Sequence, residues 1–268
     1  GLPIWGSTRA VQTHRIAGTL KQGSAHLSLT LDWIRQSKTQ GDPDKAIPMS
    51  AYMRNRFDFL GWPQAIRRQH QQGLWVGLQE AGAASKGETL DNAIPASLID
   101  VLWQQPEREF QYTAMELALR YRACWGDDWI QRVYGWIQTK SWWDTVDWLA
   151  PKALGWYILN KKSGAGRGTA LNTPLLEMVI AELHAHPNLW MQRSAFILQL
   201  DFREQTRFDL LSKMCLEKAD TREFFLAKAM GWALRQYARQ EPELVRAFVQ
   251  KNPQLPALTR REALKHLA

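Results

Sequence analysis

Cysteine is scarce: Cys124 and Cys215 are the only two in 268 residues, far apart and without C-x-x-C spacing. That argues against a disulfide framework and a thiolate zinc site, and it fits a cytoplasmic protein. Long hydrophobic runs are missing too. No stretch approaches the ~18 apolar residues of a membrane span, and residues 1–27 lack the charged-then-apolar layout of a signal peptide. Alternating segments rich in valine, isoleucine and threonine are absent, which argues against β-structure. No serine or cysteine nucleophile elbow is present. The run SGAGRGT, residues 163–169, has neither the preceding strand nor the G-K-[ST] of a phosphate loop. It reads as a flexible loop whose Arg167 could touch a backbone phosphate. His184 and His186 diverge on a helix and have no companion ligands, so no metal and no other cofactor is expected.

What is abundant is helical periodicity, from about residue 28 to the end. Breaks fall at Gly41-Asp42-Pro43, Gly61-Trp62-Pro63, Gly82 to Gly87, Pro106, Gly126-Asp127-Asp128, Pro151, the 163–169 run, Pro187, Pro242 and Pro253 to Pro256. They delimit helices of ordinary length with short connections. The expectation is an all-α fold of antiparallel helix pairs stacked as a HEAT-like repeat solenoid with a concave basic face. Residues 28–268 form its single domain, and residues 1–27 are an N-terminal extension. Lysine and arginine outnumber aspartate and glutamate by 34 to 26, a formal +8, and residues 221–268 carry nine of the former against four of the latter. An anionic partner is implied, with the C-terminal part in its binding face.

Fourteen tryptophans must be mostly core, so the informative ones are those on polar helix faces. In SWWDTVDWLAP, residues 141–151, Ser141 and Asp144 have the spacing of a capping box. Trp142, Val146 and Leu149 share an apolar side, whereas Trp143 and Asp147 fall together on the other side with Asp144. A surface aspartate beside a half-buried indole would give the same pattern. Along 221–240, Leu226, Met230, Ala233 and Tyr237 form an apolar stripe, and Lys228, Trp232, Arg235 and Arg239 recur opposite it. A solvated charged face would also read so, as would a phosphate-tracking row with an indole packed against a nucleotide. Arg193 lies among Leu189, Phe196, Ile197 and Leu200 and needs an anion, which Asp147 or a phosphate would supply.

These segments carry a resemblance. PMSAYMRNRFDFLG (48–61) with Arg67-Arg68, PEREFQ (106–111), KSWWDTVDWLAP (140–151), NLWMQRSA (188–195), FFLAKAMGWALRQYA (224–238) and LTRREALKHL (258–267) resemble, in order, the AlkD-like family of alkylpurine DNA glycosylases. The likeness runs from about Ser28 to Ala268; residues 1–27 find no counterpart, and the 163–169 run looks like an insertion. The resemblance implies HEAT-like repeats, a catalytic Asp147, active-site tryptophans Trp143 and Trp232, and an active-site Arg193. It also implies base excision repair of 3-methyladenine- and 7-methylguanine-type lesions in double-stranded DNA by a monomer, with the lesion left stacked rather than flipped. Tyr52, Arg68, Lys140, Ser141, Arg235 and Arg239 would hold the duplex, through phosphates.

The chemistry suits these residue types. Breaking an N-glycosidic bond builds positive charge on the sugar, which a fixed carboxylate stabilises. A purine alkylated at N3 or N7 is already cationic and leaves neutral, so one aspartate suffices. Two other readings remain open: a non-catalytic helical-repeat protein that binds distorted or branched DNA, and a protein-interaction scaffold.

Overall fold

The computed structural model describes residues 25–83, 93–122, 125–161 and 171–267. Cys124, Arg167 and the 163–169 run, and residues 1–24 of the expected N-terminal extension, lie outside them. The protein is all-α: the described residues contain no strand, only an isolated bridge between Asp58 and Glu107. Contacts divide the chain into two compact units, meeting in sequence between Gly126 and Asp127.

The first unit holds α1 (residues 25–39), α2 (Pro43–Tyr52), α3 (Gln64–Ala83), α4 (Ala93–Gln104) and α5 (Arg108–Arg120). Residues 25–27 belong to α1, and His26 is buried, its Nε2 donating to the Leu78 carbonyl at 3.2 Å. The Gly-Asp-Pro and Gly-Trp-Pro breaks are real turns. Asp42 caps α2 by accepting from the Lys45 amide. Gly61 has φ +86°, and a Cβ there would come within 2.0 Å of the Asp42 carbonyl oxygen, so only glycine fits. The same turn is held by Glu109, whose buried carboxylate accepts from the amides of Leu60, Gly61 and Trp62 at 2.9, 3.0 and 3.0 Å. Trp62 stacks on His70 at 4.0 Å, and Trp33 meets Phe110 edge-on. Arg67 is buried and donates to Gln71 and to Glu116, both at 2.7 Å.

The second unit runs α6 (Trp129–Gln138), α7 (Trp143–Trp148), a π-helical turn (Leu149–Gly155), α8 (Trp156–Asn160), α9 (Thr173–Ala185), α10 (Leu189–Ile197), a 3₁₀ turn (Arg203–Gln205), α11 (Phe208–Glu217), α12 (Phe224–Tyr237), α13 (Pro242–Lys251) and α14 (Ala257–Leu264). One expected break is absent. Pro151 does not end a helix, because α7, the π turn and α8 run on without interruption from 143 to 160. A proline inside an α-helix lacks the amide that would bond four residues back, and its ring crowds that carbonyl. Widening into a π turn accommodates both, and here the residue four back is Asp147. Gly155 closes the turn where a Cβ would lie 2.5 Å from the Leu198 carbonyl oxygen, so α10 can approach. Val146, Leu149, Leu154, Phe196, Met230 and Leu234 are buried in the core of this unit, each fully buried side chain contributing ~1.5–3 kcal/mol. On α12 the anticipated stripe of Leu226, Met230 and Ala233 is buried, while Tyr237 is half-buried and stacks on Phe208 at 5.0 Å.

Candidate active site

Exposure alone does not single out any tryptophan. Trp62, Trp75, Trp103, Trp129, Trp136 and Trp142 are buried, but Trp33, Trp125, Trp148, Trp156 and Trp190 are half-buried, as are Trp143 and Trp232. What distinguishes the last two is their company.

The connection from α6 into α7 turns at Lys140, whose φ of 51° is left-handed and whose side chain is half-buried. The expected Ser141 cap does not form: the helix starts at Trp143 with Trp142 as its N-cap, and the Trp142 side chain makes no capping hydrogen bond. The Ser141 hydroxyl instead donates back to the Ile137 carbonyl at 2.6 Å, closing the end of α6. Asp144 then stands in the first turn of α7, where negative charge favours the exposed amides of the helix start. Trp142 and Val146 are buried and Trp143, Asp144 and Asp147 are half-buried, as the helical spacing requires.

Asp147 meets Arg193 across α7 and α10. Arg193 Nε and Nη2 donate to Oδ1 and Oδ2, each at 2.7 Å, in a two-pronged pair. Its Nη1 donates to the Phe225 carbonyl at the start of α12, and the guanidinium lies 5.9 Å from the Phe225 ring centre. Each guanidinium nitrogen thus has an acceptor, which is what a side chain only 4% exposed requires. Beneath the pair, Trp142, Trp190 and Phe225 pack as a triad with ring centres 5.0–5.4 Å apart. The Asp147 side chain keeps 19% of its surface open. Burial pushes its carboxyl above the ordinary aspartate range, Arg193 pulls in the other direction, and the charge of Asp144 adds to the rise. The product is an anion of fixed direction, with solvent access, beside an indole one turn earlier on the same helix.

The basic row on α12 is differently placed than its spacing suggests. Trp232 is half-buried and Arg239 is exposed. Lys228 and Arg235, however, both bind Glu262 of α14: Lys228 Nζ lies 2.8 Å from Oε1, and Arg235 Nη1 donates to Oε2. In the first unit, Tyr52 is 71% exposed at the end of α2, and the Arg68 side chain is exposed with its Nε 3.2 Å from Glu116. The two histidines serve local structure: His184 Nε2 lies 2.9 Å from a Glu217 carboxylate oxygen, and His186 Nδ1 accepts from the Asn188 amide at 3.0 Å. Phe225 and Glu262 are absent from the sequence-based candidates. Both act through partners more than twenty-five residues away, so no local spacing marks them.

The sequence profile of DNA alkylation repair enzymes matches residues 34–267. Among solved structures, one of a protein from Enterococcus faecalis described as a predicted DNA alkylation repair enzyme superposes with a TM-score of 0.72. It shares 31% identity, over 85% of this chain and 97% of that one. No curated protein matches. No helix among the described residues is long and apolar enough to cross a membrane.

Proposed function

From the premise that the chain belongs to the family of DNA alkylation repair enzymes, we propose that it is a DNA glycosylase that releases cationic N3- and N7-alkylated purines from duplex DNA. The observation that carries this reading is the half-open Asp147 carboxylate, clamped by Arg193 and set one helical turn from Trp143. Such a carboxylate stabilises a sugar that becomes cationic as the base departs, and it orients or deprotonates the attacking water. No second carboxyl group is needed as an acid, because the alkylated purine already carries its positive charge and leaves neutral.

Arg193 keeps the carboxylate aimed and ionised, offsetting the cost of burying it. Trp143 and Trp232 supply indole faces that attract the developing cation by ~0.5–2 kcal/mol and pack against the sugar and phosphate. Tyr52, Arg68, Lys140, Ser141, Arg235 and Arg239 contact the backbone of the duplex, so affinity falls with salt and depends little on sequence. The enzyme works from the sugar side as a monomer, without flipping the lesion.

The test is chromatography of bases released from methylated duplex DNA. Free 7-methylguanine and 3-methyladenine above the uncatalysed rate support the proposal. Tight duplex binding with no release would favour a non-catalytic DNA binder instead.

A further inference from the structure

Glu262 is the least exposed partner in the charged cluster around Trp232. Its side chain is 9% exposed, against 39% for Lys228 and 23% for Arg235. The two cations stand four residues before and three after Trp232, one helical turn to either side on the same face of α12. One carboxylate binds both, an oxygen to each, and the Glu262 backbone carbonyl accepts from Arg235 as well.

The local backbone is built to bring this carboxylate in. Gly231 directly precedes Trp232, and a Cβ on it would fall 2.5 Å from the Glu262 Cβ and 2.8 Å from the Thr259 carbonyl oxygen. The Thr259 hydroxyl donates to the Ala227 carbonyl at 2.8 Å, fastening α14 to α12 one turn earlier. The glycine therefore admits the helix that supplies Glu262. Among the described residues, Arg235 spends only Nη1 on this bond, and its Nε and Nη2 edge has no other acceptor. That edge has the fork geometry that matches a phosphate.

The geometry points to Glu262 as a positioning residue that holds Lys228 and Arg235 on either side of Trp232 and cancels one of their two charges. It sets them for the phosphates flanking a damaged nucleotide while limiting their attraction to any duplex. This rests on the DNA-repair reading of the Trp232 face. Losing the carboxylate frees two cations, so general affinity rises; it also loosens their geometry, so lesion processing falls. A merely structural tie between α14 and α12 would move both in the same direction.

The experiment compares the full-length protein with E262Q and E262D. Binding of an undamaged duplex is followed by fluorescence anisotropy at several salt concentrations, base release from methylated duplex is measured in single turnover, and melting temperature is recorded. E262Q should bind at least ~3-fold tighter at low salt, with a salt slope steeper by ~1. Its release rate should fall ~10-fold, while E262D, which keeps the charge, retains the parental slope. Unchanged binding and release in E262Q, or losses of both that track its melting temperature, would overturn the assignment. A slope shift in a protein that releases no base would sink the glycosylase reading and leave Glu262 in its role. Base release by the parent together with an unaltered E262Q would do the reverse.

Discussion

Each unit of the molecule contains a buried arginine facing a half-buried carboxylate, and the two pairs are nearly matched in exposure. Arg67 and Glu116 of the first unit are 5% and 24% exposed; Arg193 and Asp147 of the second are 4% and 19%. Their surroundings differ. Burial raises the Glu116 carboxyl too, though Glu116 is less deeply set than Asp147, and Arg67, with Gln71 and Arg68, brings it below the ordinary glutamate value. Among the described residues Asp147 takes both of its hydrogen bonds from Arg193, and burial leaves its carboxyl raised. A carboxylate saturated by three side chains is scaffold. One gripped by a single side chain, as Asp147 is by Arg193, keeps more of its lone pairs open.

Cutting the two arginines tests how alike the pairs are as structure. R193M should cost ~3–5 kcal/mol in denaturant unfolding, because Asp147 is left buried without its cation, whereas R67M should cost less, because Arg68 and Gln71 still hold Glu116. Release per folded molecule should survive in R67M and be lost in R193M. If R193M kept its release rate, the contrast between the units would be wrong. Trp232 offers a smaller effect: W232A should lower single-turnover release ~3–30-fold, the range of an indole–cation contact, with little change in melting temperature. Parallel loss of stability and release would instead make Trp232 a core residue.

The pH dependence separates the pairs again. In the proposed mechanism Asp147 must be ionised to act, and its raised carboxyl is protonated at a higher pH than an ordinary aspartate, so the acid limb of release should lie above 3.8. Glu116 has the opposite sign. Its lowered carboxyl stabilises the fold above the unfolded-state value of 4.5, and that contribution goes only as pH falls through the lower folded value. Acid titration should therefore abolish release while the Glu116 contribution to stability persists, and coincident limbs in activity and melting would contradict this. The smallest effect belongs to the exposed Arg239, where R239A should reduce the salt slope of duplex binding by ~1 without touching release at saturating DNA.

Much of this was legible from local pattern. The Gly-Asp-Pro and Gly-Trp-Pro turns, the buried stripe of α12 and the two faces of α7 follow from backbone preferences and helical period, which act over a few residues. Arg193 was also legible, because a guanidinium among four apolar neighbours demands an anion, and Asp147 meets that demand. Pro151 was misleading because a local rule allows only a break where the fold allows a π turn. The Ser141–Asp144 spacing misled for a similar reason, the hydroxyl being taken by Ile137 on the preceding helix. The charge state of the α12 row was out of reach, since Glu262 lies thirty-four residues beyond Lys228 and only packing at Gly231 brings it there.

The proposed role of Asp147 is tested most directly by single-turnover release of 7-methylguanine from methylated duplex by the parent protein and D147N, with rates referred to the folded, DNA-bound fraction. The expected result is release by the parent and a loss of at least ~10²-fold in D147N, the scale of removing one group that stabilises transition-state charge, with duplex affinity preserved. Release by D147N at the parental rate would contradict it.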